Sequence, residues 1–215
     1  VTSGATRIHG SFMFERVWLD NLAAALDSII PAGVLSADEI RRIGTQVFEP
    51  SASLMQDHQI GAMNLQWMIE AAALHAGLAA ELPGVVSRAV DDSHGMRRLM
   101  AVGFMPDGNW WENPSYQGVC KLAAYPAIVT AVYAGILDWN ARLETIFLAS
   151  YRMYAPDGRG PILGTGGEAD TTVDNYAIQS LAGFATNPAL AWVCHNAKTP
   201  GLYDLGLRVQ LRGAV

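Results

Sequence analysis

Between Pro106 and Gln117 the chain reads PDGNWWENPSYQ, and this stretch holds its densest set of residues able to do chemistry. Trp110, Trp111, Glu112 and Tyr116 crowd into a turn built by Pro106, Gly108 and Asn109. Flat indole faces suit the CH faces of a sugar ring, and a carboxylate and a phenol suit its hydroxyls. Asn113 followed by Pro114 is a helix start, with Asn at the N-cap and Pro at the first helical position. Tyr116 then falls in the first turn, where the amide dipoles modestly favour a phenolate. The competing reading is that the tryptophans pack beneath the loop and Glu112 sits at the positive end of the helix.

A second set opens the helix expected from Asn64 to Ala80. Asn64, Trp67, Met68, Ala71, His75 and Leu78 share one face at helical spacing. Most of that stripe reads as core. Asn64 at its N-terminal end can cap the helix or donate hydrogen bonds to a ligand, and His75 reads as a core histidine. His58, in the loop before this helix, is better placed for a site.

Other chemistries are excluded by pattern. The run Gly164-Thr165-Gly166-Gly167 is followed by no Gly-Lys-Ser/Thr, so it is not a phosphate-binding loop, and no Gly-x-Ser-x-Gly elbow is present. No His/Cys/Asp group has metal-ligand spacing, so no metal and no cofactor is expected. The net charge of −6 argues against nucleic acid, whose binding rests on a basic surface. Arg97-Arg98, Lys121 and Arg41-Arg42 remain as cations for a locally basic cleft, or as solvated surface. Cys120 and Cys194 form no metal or redox motif, and Cys120, within an apolar helical stretch, reads as an inert buried thiol rather than half of a disulfide. No apolar run reaches the ~18 residues a membrane span needs, so no membrane partner is expected.

The elements that must position these residues are helices. Of the 215 residues, 51% are hydrophobic and 16% charged, which excludes disorder and suits a buried helical core. Phe14, Val17, Trp18, Leu22, Ala25 and Ile29 predict a helix from Ser11 to Ile30, stopped by Pro31 and Gly33. Ser36-Ala37-Asp38-Glu39 is a capping box for a second helix, which Pro50 ends or kinks. Further helices are expected over roughly Val85 to Phe104, interrupted near Ser93-His94-Gly95, and over Pro114 to Leu137 and Trp139 to Tyr154. Shorter ones are expected around Thr172 to Phe184 and Pro188 to His195, and Leu202 to Leu211 reads as a strand or a loose end. Helix, short loop, helix, repeated without a βα alternation, predicts an all-α fold. The expected form is an incomplete α/α toroid of antiparallel helical hairpins in a single domain.

These segments resemble, in order along residues 11 to 165, the helical domain of heparinase II/III-type polysaccharide lyases. VWLDNLAAALDSIIPAGVLSADEIRRI is similar to that family's helix pair with its SGVLSEEE-like turn, and NLQWMIEAAALHAGLA to its Asn-Trp-Gln helix. PDGNWWENPSYQ resembles its PDG-x-W-x-E-G-P-x-Y turn, and YAPDGRGPILG its later PDG-x-x-P loop. The resemblance implies β-elimination on a uronate-containing polysaccharide such as alginate or a glycosaminoglycan, in a secreted or periplasmic setting. In that chemistry an amide or cation neutralises the carboxylate, a base removes the C5 proton and an acid protonates the leaving oxygen. Carried onto this chain, Asn64 assists the carboxylate, Tyr116 is the acid or base, and Glu112 positions its neighbours. A phenol ionises near pH ~10, so a tyrosine base needs positive charge close by. Trp110, Trp111, Trp67 and Arg97 are the expected substrate contacts. Leu65 stands where relatives often carry Trp or His, and Ile69 where some carry a histidine, which leaves His58 as the substitute. Such lyases also carry a C-terminal β-sandwich, so the chain is expected to be the toroid alone, as a fragment or a reduced relative. The alternatives are an α/α-barrel glycoside hydrolase using Asp107 and Glu112, and a non-catalytic glycan-binding or structural helical domain.

Overall fold

The computed structural model describes residues 11–112, 114–152 and 183–191. Among these residues the fold is all helical, as the hydrophobic spacing predicts. The backbone gathers into two compact units, residues 1–101 and 102–215.

The first unit begins with α1 (Phe12–Ile29), closed by a short 3-10 turn at Ile30–Ala32. The expected capping box starts α2 (Ala37–Ile43), with the Ser36 side chain accepting from the Glu39 N–H and Glu39 accepting from the Ser36 N–H. A π-helical stretch, Gly44–Phe48, leads directly into α3 (Glu49–Asp57). Pro50 does not end the helix: the backbone stays helical from Ala37 to Asp57, and the π-helical stretch just before Pro50 carries it past the residue that lacks an N–H. After α4 (Asn64–Ala79) come α5 (Pro83–Asp91) and α6 (Met96–Gly103), separated near Ser93-His94-Gly95 as the sequence predicts. At the end of α4 the Leu82 N–H bonds the Gly77 carbonyl while Glu81 takes φ 55°, a Schellman-type close.

Within this unit α4 is the central element. It packs against α1, α3 and α5, and every residue from Asn64 to Ala79 is buried except Leu65 and Leu78. The sequence predicts one core-facing stripe; the structure buries the helix all round, so its polar side chains must find partners inside. His75 Nδ1 lies 2.6 Å from Asp20 Oδ1 on α1. Burial pushes the Asp20 carboxyl up, but the charge and hydrogen bond of His75 and the charge of Arg16 outweigh it and hold it below its ordinary value. Glu70 accepts from Gln66 Nε2 at 2.6 Å and from Gln56 Nε2 of α3 at 3.3 Å. Gln66 Oε1 in turn accepts the Ile60 N–H of the preceding loop at 3.0 Å.

Burial dominates the Glu70 carboxyl. It outweighs the two amide donors and nearby Arg88, and with the charge of Asp92 it raises the group from 4.5 to about 8. Among the described residues Gln56 Oε1 is buried with no hydrogen-bond partner.

The second unit begins with a tight reversal. Phe104 and Trp110 form an isolated antiparallel bridge, closed by bonds from the Met105 N–H to Asn109 O and from the Trp111 N–H to Gly103 O. Then come α7 (Pro114–Tyr133), α8 (Ala141–Arg152) and the start of a helix at 188–191. Tyr125 of α7 donates to the Ile146 carbonyl of α8 at 2.8 Å, and its ring packs on Phe147. Trp139 lies against both Phe147 and Phe184. Buried Glu144 gathers four donors, from Trp139 Nε1, the Thr186 N–H and hydroxyl, and the Asn187 N–H. The helices expected over Thr172 to Phe184 and on to His195, the tail at Leu202 to Leu211, the PDG loop after Tyr154 and the side chains of both cysteines lie largely or wholly outside the described residues.

Glu70 makes stability depend on pH. The folded state keeps a proton on this carboxyl between about pH 4.5 and 8 while the unfolded chain has released it. The unfolded state then binds fewer protons, so stability falls with rising pH through that window, by up to about 1.4 kcal/mol per pH unit, and levels off above it. Glu70→Gln mimics the neutral acid. Denaturant unfolding should show the variant gaining stability relative to the native chain from pH 5 to 8; parallel curves would refute the assignment.

Candidate functional site

The turn from Phe104 to Glu112 is built around Trp110, which is only 1% exposed. Its ring packs edge-on against Phe104, with centroids 5.1 Å apart. The indole N–H donates to Glu112 Oε2 at 2.7 Å, and the Trp110 backbone N–H donates to Gln117 Oε1 in the first turn of α7 at 3.1 Å. Two glycines make this possible. A Cβ on Gly103 would stand 2.0 Å from the Trp110 ring, and Gly108 has φ +89° with its Cα facing the Thr145 carbonyl so closely that a Cβ would come within 2.3 Å. Asp107 closes the turn by accepting from the Asn109 N–H at 3.0 Å and the Asn109 side-chain amide at 2.9 Å. Those donors hold its carboxyl below the ordinary range.

Arg142, at the second position of α8, completes the arrangement. Its guanidinium donates to three successive carbonyls, those of Phe104 at 2.5 Å, Met105 at 2.8 Å and Pro106 at 3.1 Å. Asn140 caps the same helix, its Oδ1 accepting from the Arg142 N–H at 3.0 Å and the Leu143 N–H at 3.1 Å.

On this scaffold the expected site residues separate by role. Tyr116 is the third residue of α7, as the Asn-Pro start predicts, and is 40% exposed. Trp111 is 53% exposed. Glu112 is half-buried and accepts the Trp110 indole N–H. Trp110 belongs to the core, so its ring is covered by protein.

The remaining expected residues lie in the first unit. Asn64 is 6% exposed and is the first residue of α4. The N-cap is Met63, with no side-chain cap bond, so the capping role expected for Asn64 is not the one it takes. Trp67 is fully buried in α4 and packs the core rather than offering a ring to a sugar. His58 is the half-buried C-cap of α3, its N–H bonded to Met55 O. Arg97 is exposed and paired through Nε with Asp91 Oδ1 at 2.8 Å. No group of three or more His, Cys, Asp or Glu side chains able to hold a metal occurs among the described residues, and no described helix is long and apolar enough to cross a membrane.

Arg142 and Gln117 escaped the sequence reading. Gln117 carries no sequence signal. Arg142 carries a weak one: a cation in the first turn of a helix opposes the dipole, so such an arginine calls for a partner elsewhere.

If Trp110 fills the space over Gly103, then Gly103→Ala must displace it. The expected loss of stability is about 1–3 kcal/mol, the range for forcing an extra methyl into a packed core. A denaturation midpoint equal to that of the native chain would contradict this packing. No protein-family model and no curated protein matches this chain.

Proposed function

We propose that this chain is the helical part of a polysaccharide lyase, built as an incomplete α/α toroid, that cleaves a uronate-containing polymer by β-elimination. One observation carries the reading. Tyr116 stands exposed in the first turn of a helix, five residues after an exposed tryptophan, and next to it in sequence Gln117 ties that helix to the turn through a buried hydrogen bond. Proton transfer needs a titratable group held in one place and open to the ligand, and Tyr116 meets both conditions.

In this proposal Trp111 stacks on a sugar ring and Tyr116 exchanges the proton with the C5 carbon or the leaving oxygen. Glu112 keeps the turn in shape through the Trp110 indole, and the charge that develops on the uronate carboxylate calls for an amide or cation donor. The hydrolase alternative needs two available carboxylates. Here the Asp107 carboxylate is taken up by Asn109, and Glu112 accepts from Trp110.

Incubation with alginate, hyaluronan, heparan sulfate and related polymers should release unsaturated uronates, seen as a rise in ultraviolet absorbance. Tyr116→Phe keeps the ring and removes the hydroxyl, so it should lower kcat by about 100-fold or more, the usual weight of an acid/base group. New reducing ends without the absorbance would indicate hydrolysis. Saturable binding without turnover would indicate a glycan-binding domain.

A further inference from the structure

Arg142 occupies a costly position. Its guanidinium belongs to the first turn of α8, where the helix dipole disfavours positive charge. The three carbonyls it reaches lie on consecutive residues, Phe104, Met105 and Pro106. Consecutive carbonyls in an extended strand alternate in direction, so three can converge on one guanidinium only where the chain bends around it. A planar fork of five N–H donors can serve all three; an ammonium, with a single nitrogen, cannot spread across them in the same way.

The opposite side of this turn leads toward the exposed residues. The Trp111 N–H is bonded to Gly103 O, and Trp110 is bonded through its backbone N–H to Gln117, the neighbour of Tyr116. A shift of the Phe104–Pro106 backbone would therefore be transmitted through the bridge to Trp110 and on to the first turn of α7.

We propose that Arg142 is a positioning residue: by gripping the carbonyls of Phe104, Met105 and Pro106 it sets how the turn presents Trp111 and Tyr116 to a ligand. Arg142 itself touches no substrate in this arrangement. The inference rests on the reading that this turn forms a carbohydrate site, and it can be tested apart from it.

The test compares the full native chain with Arg142→Lys and Arg142→Gln by hydrogen exchange and hydroxyl-radical footprinting. In both variants the Met105, Gly108 and Trp111 amides should exchange about tenfold faster or more, while the core amides of α4 and of α7 beyond Tyr125 keep their rates. Radical labelling of Trp111 and Tyr116 should change in the same variants. With a polymer that the native chain cleaves, kcat should fall more than KM rises, with Lys impaired less than Gln because it retains the charge. Unchanged turn amides, or a uniform rise across the whole unit, would overturn the proposal, as would a loosened turn with unchanged labelling at Trp111 and Tyr116. A native chain inactive on every uronate polymer would count against the lyase reading alone, since exchange and labelling still decide the role of Arg142.

Discussion

The burial of α4 on every side is the constraint on which the first unit depends. A helix with one face in water can carry polar residues there at little cost. This one cannot, and it still contains Gln66, Glu70 and His75. Each must be met by a group from elsewhere, since a buried polar atom left without a partner costs on the order of 1–3 kcal/mol. Asp20 meets His75 from α1, and Gln56 meets Glu70 from α3. Apolar packing alone allows helices to slide and repack, whereas these directional contacts specify how α1 and α3 lie on α4. The same network reaches the loop before Asn64 through Gln66 and Ile60. A structural requirement of the core thus also disciplines the approach to a candidate site residue.

The second unit solves a related problem with a different device. The turn at Phe104–Glu112 spends two tryptophans where loops are usually small and polar, and the two have opposite fates. Trp110 is swallowed by the fold, with its N–H paired and its ring seated over Gly103. Trp111, next along the chain, remains exposed. Neighbouring residues in extended backbone point to opposite sides, so burying one ring displays the other. The turn is thereby packed from within by one ring and open outward at the other.

Much of this was legible in the residues themselves. The Ser36 to Glu39 capping box, the break near Ser93-His94-Gly95 and the Asn-Pro start of α7 are local signals, and local hydrogen-bonding rules are enough to read them. Pro50 shows the limit. A proline can end a helix or sit within one, and here a π-helical stretch before it carries the helix past it. Trp67 and Trp110 show another limit, because composition identifies an aromatic residue as suited to a sugar without saying whether its face is already covered.

By itself, then, the sequence determined the helical class, most helix starts and stops, and the set of side chains with chemistry to offer. Those properties depend on spacings of a few residues along the chain. The tertiary structure decided which side chains of that set are buried, that α4 has no solvent face, that Glu70 is pushed toward the neutral acid, and that Arg142 reaches back some 36 to 38 residues to hold the turn. Each of these depends on groups far apart in sequence meeting in a medium without water, where an unpaired polar group is costly and periodicity does not name the partner.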